Sequence, residues 1–145
     1  MIIEKISTDN IIYLLPLVLE LWPDCDYEEE YEYFHELIDS DTQTCFLAKE
    51  KDHYVAFIQL AIRNDYVEGA DELPVAYVEG IYVKPGYQKQ GIARSLIERA
   101  EQWARQKGLK QLASDTELSN HASIAFHKSL GFIEAGRIVC FIKDI

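Results

Sequence analysis

Two carboxylates stand where chemistry is easier to explain than packing. Glu79 interrupts the apolar run Val75-Ala76-Tyr77-Val78-Glu79-Gly80-Ile81-Tyr82-Val83. By strict alternation it shares a face with Val75, Tyr77, Ile81 and Val83. A lone carboxylate on a buried strand is costly unless it is paired or opens onto a cleft. One reading is a buried ion pair with an arginine such as Arg63. The other is an active-site acid that takes a proton from a substrate amine, directly or through a water, with a pKa moved upward by partial burial. Asp115, in Ser114-Asp115-Thr116-Glu117, is the second candidate. It either caps a turn or faces the same cleft. Two carboxylates facing one cleft would hold an ammonium well.

A second constellation follows the apolar run. Gly86-Tyr87-Gln88-Lys89-Gln90-Gly91-Ile92-Ala93-Arg94 joins that strand to the clearest helical pattern in the chain. A strand, a glycine-containing turn and a helix N-terminus make an anion site, because the free first-turn N–H groups and the helix dipole point at the same spot. Gly91 permits close approach, and Gln88, Lys89, Gln90 and Arg94 add donors or positive charge. Gly86 and Gly91 have the spacing of the two P-loop glycines, but Ile92-Ala93 replace the required Lys-Ser/Thr, which argues against a nucleotide triphosphate. The three-glycine dinucleotide fingerprint is absent. Taken alone, the pattern is also that of an ordinary strand-to-helix turn.

The elements that must position these residues form one domain over 1–145, since that length suits a single compact core. Ile2 to Ile6 reads as a strand, and Thr8 or Asp9 caps a helix running to Trp22 that Pro16 kinks or splits. Tyr27 to Ile38 is a second helix with Tyr31, Phe34, Leu37 and Ile38 on its apolar side. Thr44 to Ala48 and Tyr54 to Ile62 form a hairpin around Lys49-Glu50-Lys51-Asp52. After the acidic loop Asp65 to Glu72 comes the strand of Glu79, then a helix from Ile92 to Lys107 with Ile92, Leu96, Ala100, Trp103 and Ala104 as its stripe. Leu112 to Asp115 is a strand, Asn120 to Leu130 a helix and Ile138 to Ile142 a last strand. The order predicts a mixed α/β fold with hairpins at one end and a crossover at the other.

The formal charge is −11, from 14 basic and 25 acidic side chains, which argues against nucleic acid or an anionic membrane as partner and suits a cationic one. Cys25, Cys45 and Cys140 are too few and scattered for a disulfide framework or zinc ribbon; Cys45 and Cys140, in apolar stretches, are expected in the core. No metal pair of histidines and no Gly-x-Ser-x-Gly elbow occurs. His35, His53 and His121 read as surface residues. Without a basic n-region followed by an apolar run, or any apolar stretch of roughly 20 residues, the expectation is a cytoplasmic protein.

The Gln-x-x-Gly-x-Ala pattern after an apolar strand resembles the acetyl-CoA motif of the GNAT superfamily of N-acetyltransferases. Asn120-His121-Ala122-Ser123-Ile124-Ala125-Phe126-His127-Lys128-Ser129-Leu130-Gly131-Phe132 is similar to its second signature, and the likeness covers essentially the whole chain in the right element order. The resemblance implies a mixed sheet whose fourth and fifth strands splay into a V that admits the pantetheine arm. It places the pyrophosphate on the backbone of Gln88, Lys89, Gln90, Gly91, Ile92, Ala93 and Arg94, and the pantetheine on Ile81, Tyr82 and Val83, whose amides can also polarise the thioester carbonyl. It puts Asn120 against the CoA arm. His127 replaces the tyrosine that often protonates the leaving thiolate: it either donates that proton or merely touches the CoA arm.

The likeness narrows at Leu21-Trp22-Pro23-Asp24, Asp65-Tyr66-Val67-Glu68-Gly69, Val78 to Val83 and Ala113 to Asn120, which resemble the bacterial aminoglycoside 6′-N-acetyltransferases. That implies aminoglycoside contacts at Trp22, Tyr66, Glu79 and Asp115, with Glu79 and Asp115 catalytic, a homodimer, acetyl-CoA as co-substrate and no metal. Aromatic faces and carboxylates suit a polycationic sugar. The subfamily's further acidic residue is missing, since Gly136 stands there, with Glu134 near but offset. Two other activities share these features: acetylation of another amine (a polyamine, amino-sugar or protein N-terminus) and a CoA-binding sensor without chemistry.

Overall fold

The computed structural model describes residues 1–145. Its elements run β1 (Ile2–Lys5), α1 (Ile11–Leu21), α2 (Tyr27–Leu37), β2 (Gln43–Glu50), β3 (His53–Arg63), β4 (Val75–Val83), α3 (Ile92–Gln106), β5 (Leu112–Ala113) and α4 (His121–Ser129). The strands form one five-stranded sheet in the order β1-β2-β3-β4-β5, antiparallel up to β4 and parallel between β4 and β5. This is the mixed α/β sheet that the sequence predicts.

Helix α3 covers one face of the sheet, burying Ile92, Leu96, Ile97, Ala100, Trp103 and Ala104 against Phe46, Ala56, Ile58, Leu60, Ala76 and Val78. The opposite face packs against α1 and α2 through Leu14, Leu15, Val18, Phe34 and Leu37, which meet Cys45, Leu47 and Phe57. Helix α1 is a single helix despite Pro16. A proline in its second turn removes one backbone bond, and the fully buried Leu14, Leu15 and Val18 hold the helix together around it. It starts one residue later than expected, at Asn10, whose buried side chain donates to the Lys5 carbonyl and Glu4 and accepts from the Ser7 amide, so that it ties the helix start to β1. Asp26 caps α2 by accepting from the Glu29 amide at 3.1 Å.

Two features of the sheet matter for function. The β3–β4 register jumps from Gln59↔Gly80 to Leu60↔Val78, leaving Glu79 as the extra residue of a β-bulge. Alternation therefore changes phase: Ala76 and Val78 face α3 before the bulge, and Ile81 and Val83 face it afterwards. Glu79 does not share one face with Val75, Tyr77, Ile81 and Val83, as strict alternation predicts. The parallel β4–β5 ladder has only two partners, Ala76↔Leu112 and Tyr77↔Ala113. Beyond Tyr77 the two strands part, and the β5-side edge of β4 from Val78 to Val83 carries no ladder.

The expected last strand is not formed. Residues 133–145 take part in no helix, strand or backbone hydrogen bond, and Ile138, Val139, Phe141 and Ile142 lie exposed. Cys140 is correspondingly exposed rather than in the core, whereas Cys45 is fully buried. A strand needs an edge to pair with; β5, at two residues, offers almost none. No helix is long and apolar enough to cross a membrane.

Candidate active site

The loop after β4 has the backbone that an anion site would need. Gly86, Lys89 and Gly91 have φ of 92°, 61° and 84°. Lys89 is the notable one, since a side chain makes that left-handed conformation unfavourable and such strain gathers at ligand-binding turns. Gln88 Nε2 donates to the Val83 carbonyl at 3.0 Å and Gln90 Nε2 to the Gly86 carbonyl at 3.2 Å, so both glutamines brace the turn. Helix α3 then starts at Gly91 with no side-chain cap and no acid in its first turn. Its leading amides, at Ile92, Ala93 and Arg94, keep their positive end free of local carboxylates. Upstream, the unladdered edge at Ile81, Tyr82 and Val83 offers the amide groups that a pantetheine arm needs. The residues present fit a CoA-type ligand.

At the other end of β4 a cleft of about 1420 Å³ opens between β4, β5, the 66–71 loop and residues 130–138. It brings together the predicted Tyr66, Asp115 and His127 and adds Arg63, Tyr77 and Ser114. Arg63, the last residue of β3, grips Glu79 with two parallel bonds, Nε to Oε1 at 2.9 Å and Nη2 to Oε2 at 2.8 Å. Its guanidinium carbon sits 3.4 Å over the centre of the Tyr77 ring. The hydrogen bond to Glu79 is the main reason the Arg63 pKa lies above its ordinary value. Tyr77 in turn donates its hydroxyl to Asp115. Burial, then the bonded Asp115 carboxylate, push the Tyr77 hydroxyl far above the ordinary phenol range, so it acts only as a donor. The ion-pair reading of Glu79 thus describes this state of the protein: Arg63 lines the cleft, whereas Glu79 lies outside its lining and is reached from it through Arg63, the two side chains being 39% and 25% exposed.

Tyr66 is 79% exposed and donates to Glu68. Trp22 caps the C-terminal end of α1 and lies outside the cleft, with its indole Cη2 and Cζ2 against Gly80 and its ring edge-on to Phe57 at 6.1 Å. The α3 loop and Asn120 also lie outside the cleft lining. At Gly136 a Cβ would stand 3.3 Å from the Glu68 carboxylate, so an acid from the facing loop already lies beside the place where the subfamily carries its own. Glu134 is engaged by Arg137 and Lys128, and Arg137 chiefly holds its carboxyl below the usual range.

His127 has both ring nitrogens occupied. Nδ1 lies 2.7 Å from the Ser123 carbonyl, which can only accept, so Nδ1 carries a proton. Nε2 pairs with the Ser114 hydroxyl at 2.8 Å, and a hydroxyl can donate or accept there. The ring ties α4 to the end of β5, with both nitrogens within hydrogen-bond distance of serine oxygens. Asn120 caps α4 by accepting from the Ser123 amide at 3.1 Å, which leaves its Nδ2 for a ligand. Asn120→Ala is expected to lower stability by about 1 kcal/mol, read as a shift in the denaturant midpoint.

Sequence reading missed Tyr77 and Ser114 as partners of Asp115 and His127. The only signal was a hydroxyl two residues before the bulge and another one residue before Asp115; neither spacing is meaningful until the strands are paired.

An uncapped helix start behind a strained turn, beside a sheet parted at β4 and β5, defines an acyl-CoA N-acyltransferase. The model of the acetyltransferase (GNAT) family matches residues 10–132, and the chain belongs to that family. It is 39% identical to the aminoglycoside N(6')-acetyltransferase type 1 of Serratia marcescens over 138 residues, 94% of each chain. It is 37% identical to the Acinetobacter baumannii enzyme of the same name, over 99% of this chain and 98% of that one. The solved structure of AAC(6')-Iy in complex with a bisubstrate analog, CoA-S-monomethyl-acetylneamine, superposes with a TM-score of 0.95 at 30% identity, covering 99% of this chain and 98% of that one.

Proposed function

We propose that the chain transfers the acetyl group of acetyl-CoA to the 6′-amine of aminoglycosides, and so confers resistance to them. The observation that carries this reading is the cation seat built from Glu79, Tyr77 and Asp115, which adjoins the free edge of β4. Acetyl-CoA supplies an activated acyl group as its thioester. Residues 88–94 hold its phosphates, Ile81 to Val83 and Asn120 its pantetheine, and the β4 amides aim at the carbonyl oxygen. Asp115, Tyr66 and Trp22 hold the cationic acceptor. Glu79 takes the amine proton, directly or through water, once a carboxylate oxygen is free. The other acidic side chains favour approach of a polycation. The test is release of CoA thiol with a panel of aminoglycosides, polyamines and amino-sugars. Turnover with aminoglycosides is expected; turnover with none of them would overturn the acceptor assignment.

The reading includes a homodimer acting in the cytoplasm, where acetyl-CoA is made and used. The apolar side chains of 138–145 support the dimer, since a monomer leaves Phe141 and Ile142 more than nine-tenths exposed. In light scattering the full chain is expected at twice its 16.7 kDa mass. A monomer at micromolar concentration would overturn the dimer.

A further inference from the structure

Arg63 occupies the place that chemistry would assign to a substrate's ammonium. Its guanidinium is held by both oxygens of Glu79, covers the Tyr77 ring and lines the same cleft as Asp115. Each of these is a contact that recognises an organic cation: a carboxylate fork, an aromatic face, a second carboxylate nearby. A cleft so furnished and already filled by a cation of its own chain is not open to a second one at the same carboxylate. While the fork is closed, each Glu79 oxygen already accepts a charged bond, which makes it a poorer acceptor for the proton of an attacking amine.

We infer that Arg63 is a displaceable resident cation that sets acceptor specificity, and that the amine acceptor enters by exchanging with it on Glu79. The inference rests on the acetyl-transfer reading above. Both partners are open enough to solvent for exchange, and Arg63 ends its strand, where Asn64 and Asp65 are exposed. A half-exposed ion pair is weak enough to break at modest cost. An acceptor with several charges recovers that cost through Asp115 and the 66–68 loop, whereas a simple monoamine has fewer groups with which to recover it. Arg63 thereby discriminates against small amines, by a competing contact rather than by an attractive one.

The test is steady-state kinetics of full-length Arg63→Met and Arg63→Lys with an aminoglycoside, with a simple monoamine and with acetyl-CoA. Methionine keeps much of the apolar stem and removes the charge; lysine keeps the charge but not the fork. In Arg63→Met the KM for the aminoglycoside is expected to fall about fivefold, the factor a half-exposed pair is worth. The monoamine should gain at least as much, and the KM for acetyl-CoA should stay put. Arg63→Lys should fall between the two. An aminoglycoside KM that is unchanged or raised in a folded Arg63→Met variant, checked by its melting temperature, overturns the inference and makes Arg63 a positioning residue. If Arg63→Met does not fold, Arg63→Lys decides: a lowered aminoglycoside KM supports the exchange, and an unchanged or raised one overturns it. Absence of aminoglycoside turnover by the wild type would instead refute the acetyl-transfer reading, so the two failures are distinguishable.

Discussion

Glu79→Gln is expected to lower kcat about a hundredfold at neutral pH while leaving the KM for acetyl-CoA unchanged. The magnitude is the lower end of what a positioned general base contributes. The substitution isolates the proton-accepting role because it disturbs little else. Glutamine has the same length and fits the bulge, and its amide oxygen can still accept one bond from Arg63 in place of two. It cannot take a proton from an ammonium. The parts proposed to hold CoA, the braced turn at Gln88 and Gln90 and the α3 N-terminus, lie beyond the other end of β4 and share no hydrogen bond with Glu79. Stopped-flow binding of acetyl-CoA alongside turnover separates the outcomes. A variant with unchanged kcat would remove Glu79 from the chemistry and leave Asp115 as the acid to test next. A wild type that binds CoA with no turnover on any amine would instead be a sensor.

What the sequence made legible follows from local physics. The stripe from Ile92 to Ala104 and the glycine-containing turn before it announce the helix and its start, because both signals are local. The hairpin of β2 and β3 is equally local. Glu79 was identifiable because a charge in an apolar run stands out. Arg63 is a legible partner for Glu79 and the structure pairs them, but Tyr77 is not legible as a partner for Asp115, since that bond spans 38 residues and depends on how β4 pairs with β5. The single extra residue of the β3–β4 bulge defeated the facial assignment of β4, because side-chain period in a strand is two and one residue inverts everything after it. The last strand failed for a related reason: Ile138 to Ile142 has strand composition, but composition cannot supply an edge. His127 shows the same limit within a short motif. Its spacing from Asn120 locates it on the right helix turn, while its ring's partners are Ser123 and Ser114, the latter on another element.

Gly80→Ala is expected to destabilise the fold by about 1–3 kcal/mol, the usual cost of forcing a methyl into a filled space. It should also raise the KM for the aminoglycoside more than that for acetyl-CoA. A Cβ on Gly80 would stand 2.5 Å from Cη2 and 2.8 Å from Cζ2 of Trp22, distances no packed carbon tolerates. The indole cannot retreat inward, since it is edge-on to the fully buried Phe57. It must swing outward from β4, away from the residue next to Glu79. Trp22 is therefore placed by an absence of side chain: the glycine following the bulge lets indole atoms Cη2 and Cζ2 come directly against the strand. Trp22→Ala supplies the control, because with the ring gone the extra methyl has room. In that background Gly80→Ala should cost a small fraction of its effect alone, and the difference measures the coupling of the two positions. Equal costs in both backgrounds would mean that Gly80 matters for the backbone of the bulge and not for the indole. A large coupling energy with an unchanged aminoglycoside KM would confine Trp22 to packing and leave Tyr66 and Tyr77 as the aromatic faces of the acceptor site.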